Sequence, residues 1–452
     1  MITKSSIKKL FIFLSSLLLV YLQFGCSYFQ KDPELKFSMD KVEEIDHVVK
    51  TIYNNDQFSG IVLVSVKGDV VYKSAVGYAN LEDSIPNTCD AKFRIASFTK
   101  PFTSMLILQL VEDGVIKLDG KLIEYLPEFT VTSGDKITIR QLLTHRAGIT
   151  GHPRISNLID IEQQYYTRRD FLELIMQYDL IYEPGKGREY SNFGYGLLAL
   201  LIEKVTGKSY DEVMFEKICK PAGMTNTLSD ITENPVEKRA IGYTHDYFTG
   251  LEEASYLDMS FCLGAGQLLS TAEDLYLFDQ ALYTDKLLSE KSKDLFFNVC
   301  GWRKTKYNFG SGSKRITCNN LEGSMNGFQS HTQRIEKDTV LIVVLRNIKE
   351  AVYENEIAVK WANAIASPIL SILYNEEYEI TKRSGAYTVF KALIESGKIE
   401  AERKYDEITN KHKDDYYVDK SEFEFFQDLL RRKKMEKQAE EYIQITMIER
   451  YN

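Results

Sequence analysis

The chain has 452 residues, 44% of them hydrophobic and 27% charged, with a formal net charge of -9. This is ordinary globular composition, with length for one large two-lobed domain plus an extension or for two or three smaller domains. The acidic balance excludes non-specific nucleic-acid binding, which needs a basic footprint.

The chain opens on a basic stretch, "MITKSSIKK", and an apolar run, "LFIFLSSLLLVYLQFG", that ends at Cys26. Residues 1–26 read as a signal peptide, so the protein is expected to be exported to the periplasm or cell envelope. A short membrane anchor is the alternative, but the run is near the lower limit for spanning a bilayer and no basic block follows it. "LQFGC" resembles a lipobox in which Cys26 is lipidated after cleavage, giving a membrane anchor. Gln23 and Phe24 depart from the usual small or branched residues, and plain secretion is the competing reading. Cys89, Cys219, Cys262, Cys300 and Cys318 form no CxxC pair or His/Cys cluster. No zinc site, disulfide scaffold or other cofactor is expected.

Residues 27–55 read as a tether and a lead-in helix. "FSGIVLVSVKGDVVYKSAVGYAN" has the signature of a hairpin turning at Lys67-Gly68-Asp69. The segment 97–113 is expected to be a helix ended by Gly114, and it is apolar on nearly every face, as a central buried helix would be. From about 120 to 295 the chain reads as mostly helical with loops. Strand character returns after 300, where "DTVLIVVLRN" suits a buried strand, and 353–374 reads as a helix able to cover that sheet. The fold class is therefore α+β: one domain over 56–375, with an antiparallel sheet built from both ends and an inserted all-helical lobe. Residues 380–452 read as a helical extension of one or two pairs similar to tetratricopeptide hairpins. Fewer than three such units do not stand alone, so these are expected to pack on the main domain or to serve a protein partner.

Ser97 and Lys100 stand three apart at the start of the buried helix, "RIASFTKPFTSMLILQLVEDG". The S-x-x-K string also occurs at Ser38, Ser133 and Ser311, so the string alone says little. A serine that merely caps a helix is the plain alternative. Three residues on, however, Lys100 comes round to the same face as Ser97. A lysine in a desolvated pocket has a lowered pKa and can take the proton that makes a hydroxyl nucleophilic. "EPGKGREYSNFGYGLLALLIEKVTG" puts Tyr190 and Asn192 just before a second apolar helix. Tyr190 could act as general base or acid toward Ser97, and Asn192 could bond Lys100 and a substrate amide.

With "LLTHRAGI", "GAGQLLSTAEDLYLFDQAL" and "MNGFQSH", these segments make six blocks in order from about 50 to 350. They resemble the penicillin-recognising serine hydrolases, in the branch of class C β-lactamases, D-alanyl-D-alanine carboxypeptidases, D-aminopeptidases and esterases. The resemblance implies acylation of Ser97, proton handling by Lys100 and Tyr190, substrate contacts from Asn192, and an ester or peptide-like amide as substrate. It gives His145, in "LLTHRAGI", a structural place. The family's third motif, a basic residue followed by Thr, Ser or Gly and then Gly, is here Leu321-Glu322-Gly323. Gly323 and Ser324 can still bring a strand N–H to the Ser97 carbonyl carbon. The cation is missing, and an acidic Glu322 close to the site would disfavour substrates with a free carboxylate and favour neutral esters, amides or amine-bearing peptides. A binding or scaffold protein that acts through residues 380–452 and has lost efficient catalysis is the reading from a different class.

Overall fold

The β-branched run Gly60–Val66 (β1) and its continuation Asp69–Val76 (β2) form a hairpin whose loop residues Lys67 (φ 54°) and Gly68 (φ 87°) are both left-handed. That is a type I′ turn, whose twist matches the paired strands. On its other side β1 pairs with a strand from far down the chain. The later strands are Arg303–Phe309 (β3), Lys314–Met325 (β4), Phe328–Ile335 (β5) and Val340–Arg346 (β6). The sheet order is β3-β4-β5-β6-β1-β2, antiparallel throughout. The computed structural model describes residues 35–446 apart from 36, 56, 152–157, 232–234, 300–301, 310–313, 351–360 and 413. The leader at 1–26 and Cys26 lie outside the described residues, as do Cys300 and the start of the helix expected at 353–374.

Every residue of β1 and β6 is buried, because helices cover both faces. Helices α1 (Asp40–Asn54), α2 (Thr99–Glu112), α3 (Asn192–Thr206), α4 (Ala272–Leu282) and α5 (Trp361–Leu373) form the main body. Val62, Val64, Ile342 and Val344 face a core with Ile45, Val49, Ile365 and Ile369 of α1 and α5. Ile61, Leu63, Leu341, Val343 and Leu345 face the larger core shared with α2, α3 and α4. The helical lobe lies between β2 and β3 in sequence, so the sheet closes over an insertion. Residues Thr99 to Leu110 of α2 are all buried, which is why its sequence shows almost no polar stripe.

Four further helices, α6 (Gly385–Ser396), α7 (Lys398–Asn410), α8 (Lys420–Arg432) and α9 (Glu436–Thr446), pack around a separate core of Phe390, Phe426, Leu430 and Tyr442. A hairpin of the main body, strands Tyr243–Asp246 and Gly250–Glu253, reaches into that core. The Tyr247 ring lies 5.2 Å from Phe426 and 5.6 Å from Tyr387, and Phe248 lies 5.2 Å from Phe390. The Tyr387 hydroxyl and His245 Nε2 are 3.1 Å apart. This hairpin, and a small sheet of Phe93–Arg94, Leu268–Ser270 and Leu228–Ser229, lie where the sequence suggests helices and loops. Strands of two to four residues are too short to show alternation. Among the described residues no helix is long and apolar enough to cross a membrane.

The aromatic plug predicts how the two cores separate. Replacing Tyr247 and Phe248 together by Ala should cost about 3–5 kcal/mol of docking energy and expose the 375–384 connector. Limited proteolysis should then cut the connector while the main body stays resistant; an uncut double variant would show that α6–α9 are held by other contacts.

Candidate active site

The approach to Ser97 starts at the short strand Phe93–Arg94, continues through the Ile95 amide bonded to Leu268 O at 3.0 Å, and ends in a single 3₁₀ turn, Ala96–Phe98. Ala96 sits at φ 50°, the left-handed region that a non-glycine residue rarely adopts. Such strain survives where its surroundings hold it, commonly at functional sites. The helix begins two residues later than expected, at Thr99, with Phe98 at the N-cap position and no side-chain cap. Ser97 therefore does not cap α2, and its hydroxyl is spent on Lys100 and Tyr190.

Lys100 is 3% exposed. Its Nζ donates to Ser97 Oγ at 3.1 Å and to Ala265 O at 2.9 Å. It also lies 4.7 Å from the centre of the Tyr190 ring and 5.7 Å from that of Tyr195. The carbonyl of Ala265 is an acceptor that the sequence does not point to. Ala265 is presented by a tight loop in which its own N–H and that of Gly266 both reach Cys262 O. Burial is the main cause that pushes the Lys100 pKa below the ordinary lysine value of 10.5, and Tyr190 partly opposes it. Burial likewise pushes the neighbouring Cys262 thiol up to about 12, so at neutral pH it is no thiolate rival to Ser97.

Tyr190 arrives from the loop before α3, and its hydroxyl donates to Ser97 Oγ at 2.7 Å. Ser191, at the N-cap of α3, accepts from Gly194 N at 2.8 Å, and Asn192 opens the helix, half-buried. His145 sits behind Tyr190, with ring centroids 4.6 Å apart, and its Nδ1 accepts from Ser191 N at 3.1 Å. Burial first, then Lys100 and Arg188, lower its pKa to about 3. At neutral pH it is an uncharged support that orients Tyr190.

The third wall is the edge of β4. The β3 ladder ends at Arg303↔Asn320, whereas the β5 ladder continues to Met325↔Phe328. Residues 321–325 are thus paired with β5 and lie beyond the end of the β3 ladder. The two-residue loop Asn326-Gly327 closes on a hydrogen-bonded pair, and alternation then turns the N–H of Ser324 away from β5. Gly323 is pressed against the turn that carries Ser97: a Cβ there would come 2.1 Å from Ile95 O and 3.0 Å from Ser97 N. Ser330 Oγ fixes the contact by donating to Ile95 O at 2.8 Å. Leu321, at the position of the missing cation, is buried in the larger core. Glu322 alternates to the other face, with its Oε1 3.5 Å from His331 Nδ1. Its carboxylate is therefore directed across the strand at His331 and does not point at Ser97.

The structure brings Ser97, Lys100, Tyr190 and Gly323 together, with Asn192 and Ser324 flanking them. Sequence reasoning missed Ala265 and Ser330. Gly264 and Gly266, on either side of Ala265 in the "GAGQLL" block, were the available signal for a tight carbonyl-presenting loop, whereas Ser330 carried none.

Penicillin-binding protein 4* of Bacillus subtilis is 28% identical over 364 residues, which cover 76% of this chain and 78% of that protein. Protein flp of Staphylococcus aureus is 30% identical over 212 residues, 46% of this chain and 42% of that one. The solved D-amino acid amidase of Ochrobactrum anthropi shares the fold with TM-score 0.63 and 24% identity, covering 74% of this chain and 99% of that one. FmtA of Staphylococcus aureus shares it with TM-score 0.60 and 24% identity, covering 78% and 96%. The family model described as beta-lactamase matches residues 45–315, ending just before Leu321-Glu322-Gly323. More than half of the chain is matched, and the chain belongs to the β-lactamase family of serine hydrolases.

Proposed function

We propose that this protein hydrolyses a small ester or peptide-like amide through an acyl-enzyme on Ser97. The observation that carries the reading is the placement of one hydroxyl between a buried amine and a phenol, 3.1 Å from Lys100 Nζ and 2.7 Å from Tyr190 Oη. Ser97 Oγ attacks the carbonyl carbon, and its proton passes to the Lys100–Tyr190 pair. The oxyanion is met by the N–H groups of Ser97 and Ser324. As the tetrahedral intermediate collapses, the same pair returns the proton to the departing alcohol or amine. Water, activated by that pair, then hydrolyses the acyl ester and restores Ser97. Asn192, at the start of α3, contacts the substrate amide in this reading. Export, with lipid attachment at Cys26, completes the reading and is supported by the basic and apolar leader.

Three outcomes follow from this reading. S97A should lower turnover of an aryl ester by at least about a thousandfold and abolish fluorophosphonate labelling, with circular dichroism and Tm unchanged; retained labelling would sink the nucleophile. For Lys100 the sign is set by its lowered pKa: between the folded value and 10.5 the unfolded chain holds the extra proton, so stability rises with pH across that window. K100M should therefore remove turnover yet raise Tm at neutral pH, with a flatter Tm–pH curve than the parent; a fall in Tm would mean that the amine is a net structural stabiliser. C26S should move the full-length protein from the detergent to the aqueous phase on Triton X-114 partition, and no change in phase would refute the lipid anchor.

A further inference from the structure

One turn into α2, behind the site, lies a buried hydroxyl that takes no part in the proton transfers. Thr103 stands three residues after Lys100, and so on the same face of the helix. The two side chains take successive carbonyls of one loop: Thr103 Oγ1 donates to Gly264 O at 2.6 Å, and Lys100 Nζ to Ala265 O at 2.9 Å. The opening residue of the helix joins them, since Thr99 Oγ1 accepts from Leu268 N at 3.3 Å. On its far side the loop has no slack. Gly264, left-handed at φ 69°, lies so close to α3 that a Cβ would come 2.4 Å from Tyr195 O and 2.7 Å from Ala199 Cβ.

A second buried hydroxyl fixes the first. Tyr210 opens the short helix Tyr210–Met214, and its hydroxyl lies 2.8 Å from Thr103 Oγ1. A carbonyl can only accept, so the Thr103 proton is committed to Gly264 O and a lone pair is left to accept from Tyr210. Burial pushes the Tyr210 pKa up, which keeps the phenol a donor. Thr103 and Tyr210 are both buried, where an unmade hydrogen bond is costly. This chain of hydroxyls ends one peptide away from the acceptor of Lys100. That acceptor matters electrostatically, because a carbonyl bonds an ammonium more strongly than a free amine and so opposes the effect of burial. The titratable groups around the amine are Tyr190 from the loop before α3, Tyr195 on α3, His145 behind Tyr190, and Cys262 at the head of the loop.

We propose that Thr103, oriented by Tyr210, is a positioning residue for acylation: it holds the Gly264–Ala265 peptide so that the Ala265 carbonyl stays on Lys100 Nζ and the amine stays on Ser97. The inference rests on Ser97 being the nucleophile, so fluorophosphonate labelling of the parent comes first; an unlabelled Ser97 removes both. The full chain is then compared with T103V, which keeps the shape and deletes the hydroxyl, and with T103S, which keeps the hydroxyl. The substrate is p-nitrophenyl butyrate, which has no titrating group. T103V should lower kcat about tenfold or more with KM within about twofold. It should also move the acid limb of kcat/KM down by about one pH unit, since Lys100 loses its hold on a partner of the charged form. T103S should keep the parent's limb, whatever its Tm. Looser packing that admits water would shift the limb the other way, toward the ordinary lysine value of 10.5. A limb that stays or rises in T103V, with Ser97 still labelled, overturns the role of Thr103 and leaves the nucleophile standing. So does a T103S limb that moves as far as that of T103V. If T103V does not fold, Y210F decides: it frees the Thr103 hydroxyl to turn, and its limb should move down, whereas an unmoved or raised limb overturns the proposal.

Discussion

The site depends on a lysine held inside the protein without a carboxylate. An ammonium taken out of water costs several kcal/mol unless it is paired, and Lys100 donates to the hydroxyl of Ser97 and the carbonyl of Ala265. The faces of Tyr190 and Tyr195 give some cation–π compensation. Burial lowers the pKa and Tyr190 restores only part of it, so the environment shifts Lys100 toward the free amine. Lysine, unlike arginine, loses its proton readily under that pressure. Placing a carboxylate next to Lys100 would fix the charge and remove the base.

Much of the architecture follows from keeping that pocket dry and narrow. Helix α2 is buried on all sides, so its first turn opens inside the molecule. The strained Ala96 turns the Ser97 hydroxyl out of the helix line and toward the loop before α3. His145, neutral because it is buried, backs Tyr190, while Gly323 lets β4 approach the Ser97 amide to a separation that no other residue would permit. The sheet order matters here: the β3 ladder stops at Asn320, while β4 runs on against β5 to Met325, so among the described residues the stretch of β4 beside the Ser97 turn is paired on one side. Sheet edges are usually blunted against association; this one is packed against the Ile95–Ser97 turn through Gly323.

The sequence revealed the parts that rest on local patterning. β1 and β6 were visible as continuous β-branched runs, α2 and α3 as helices without a polar stripe, and the turn at Lys67-Gly68 as a hairpin. The contacts that make the site were not readable. Tyr190 and Ala265 are 93 and 165 residues from their partners, and no periodicity encodes such a distance. Which acceptors reach a buried amine is decided by packing, and the Ala265 carbonyl in the loop at Gly264–Gly266 is one that no local pattern announces. The 243–253 hairpin was hidden by its shortness.

Glu322 shows how a departure in sequence acquires meaning only in three dimensions. As a string, Leu321-Glu322-Gly323 loses the cation at Leu321 and gains an acid at Glu322. In the fold, the two positions separate: Leu321 fills the core, Gly323 keeps the contact with the Ser97 turn, and Glu322 stands on the opposite face against His331. A strand can change its charge at one residue without moving its backbone, because alternate side chains answer to different surroundings. On the proposed mechanism the tetrahedral intermediate needs backbone groups and the Ser97–Lys100–Tyr190 cluster, and none of these requires the missing cation. On that reading the substitution bears on which substrate is held and leaves the means of attack in place.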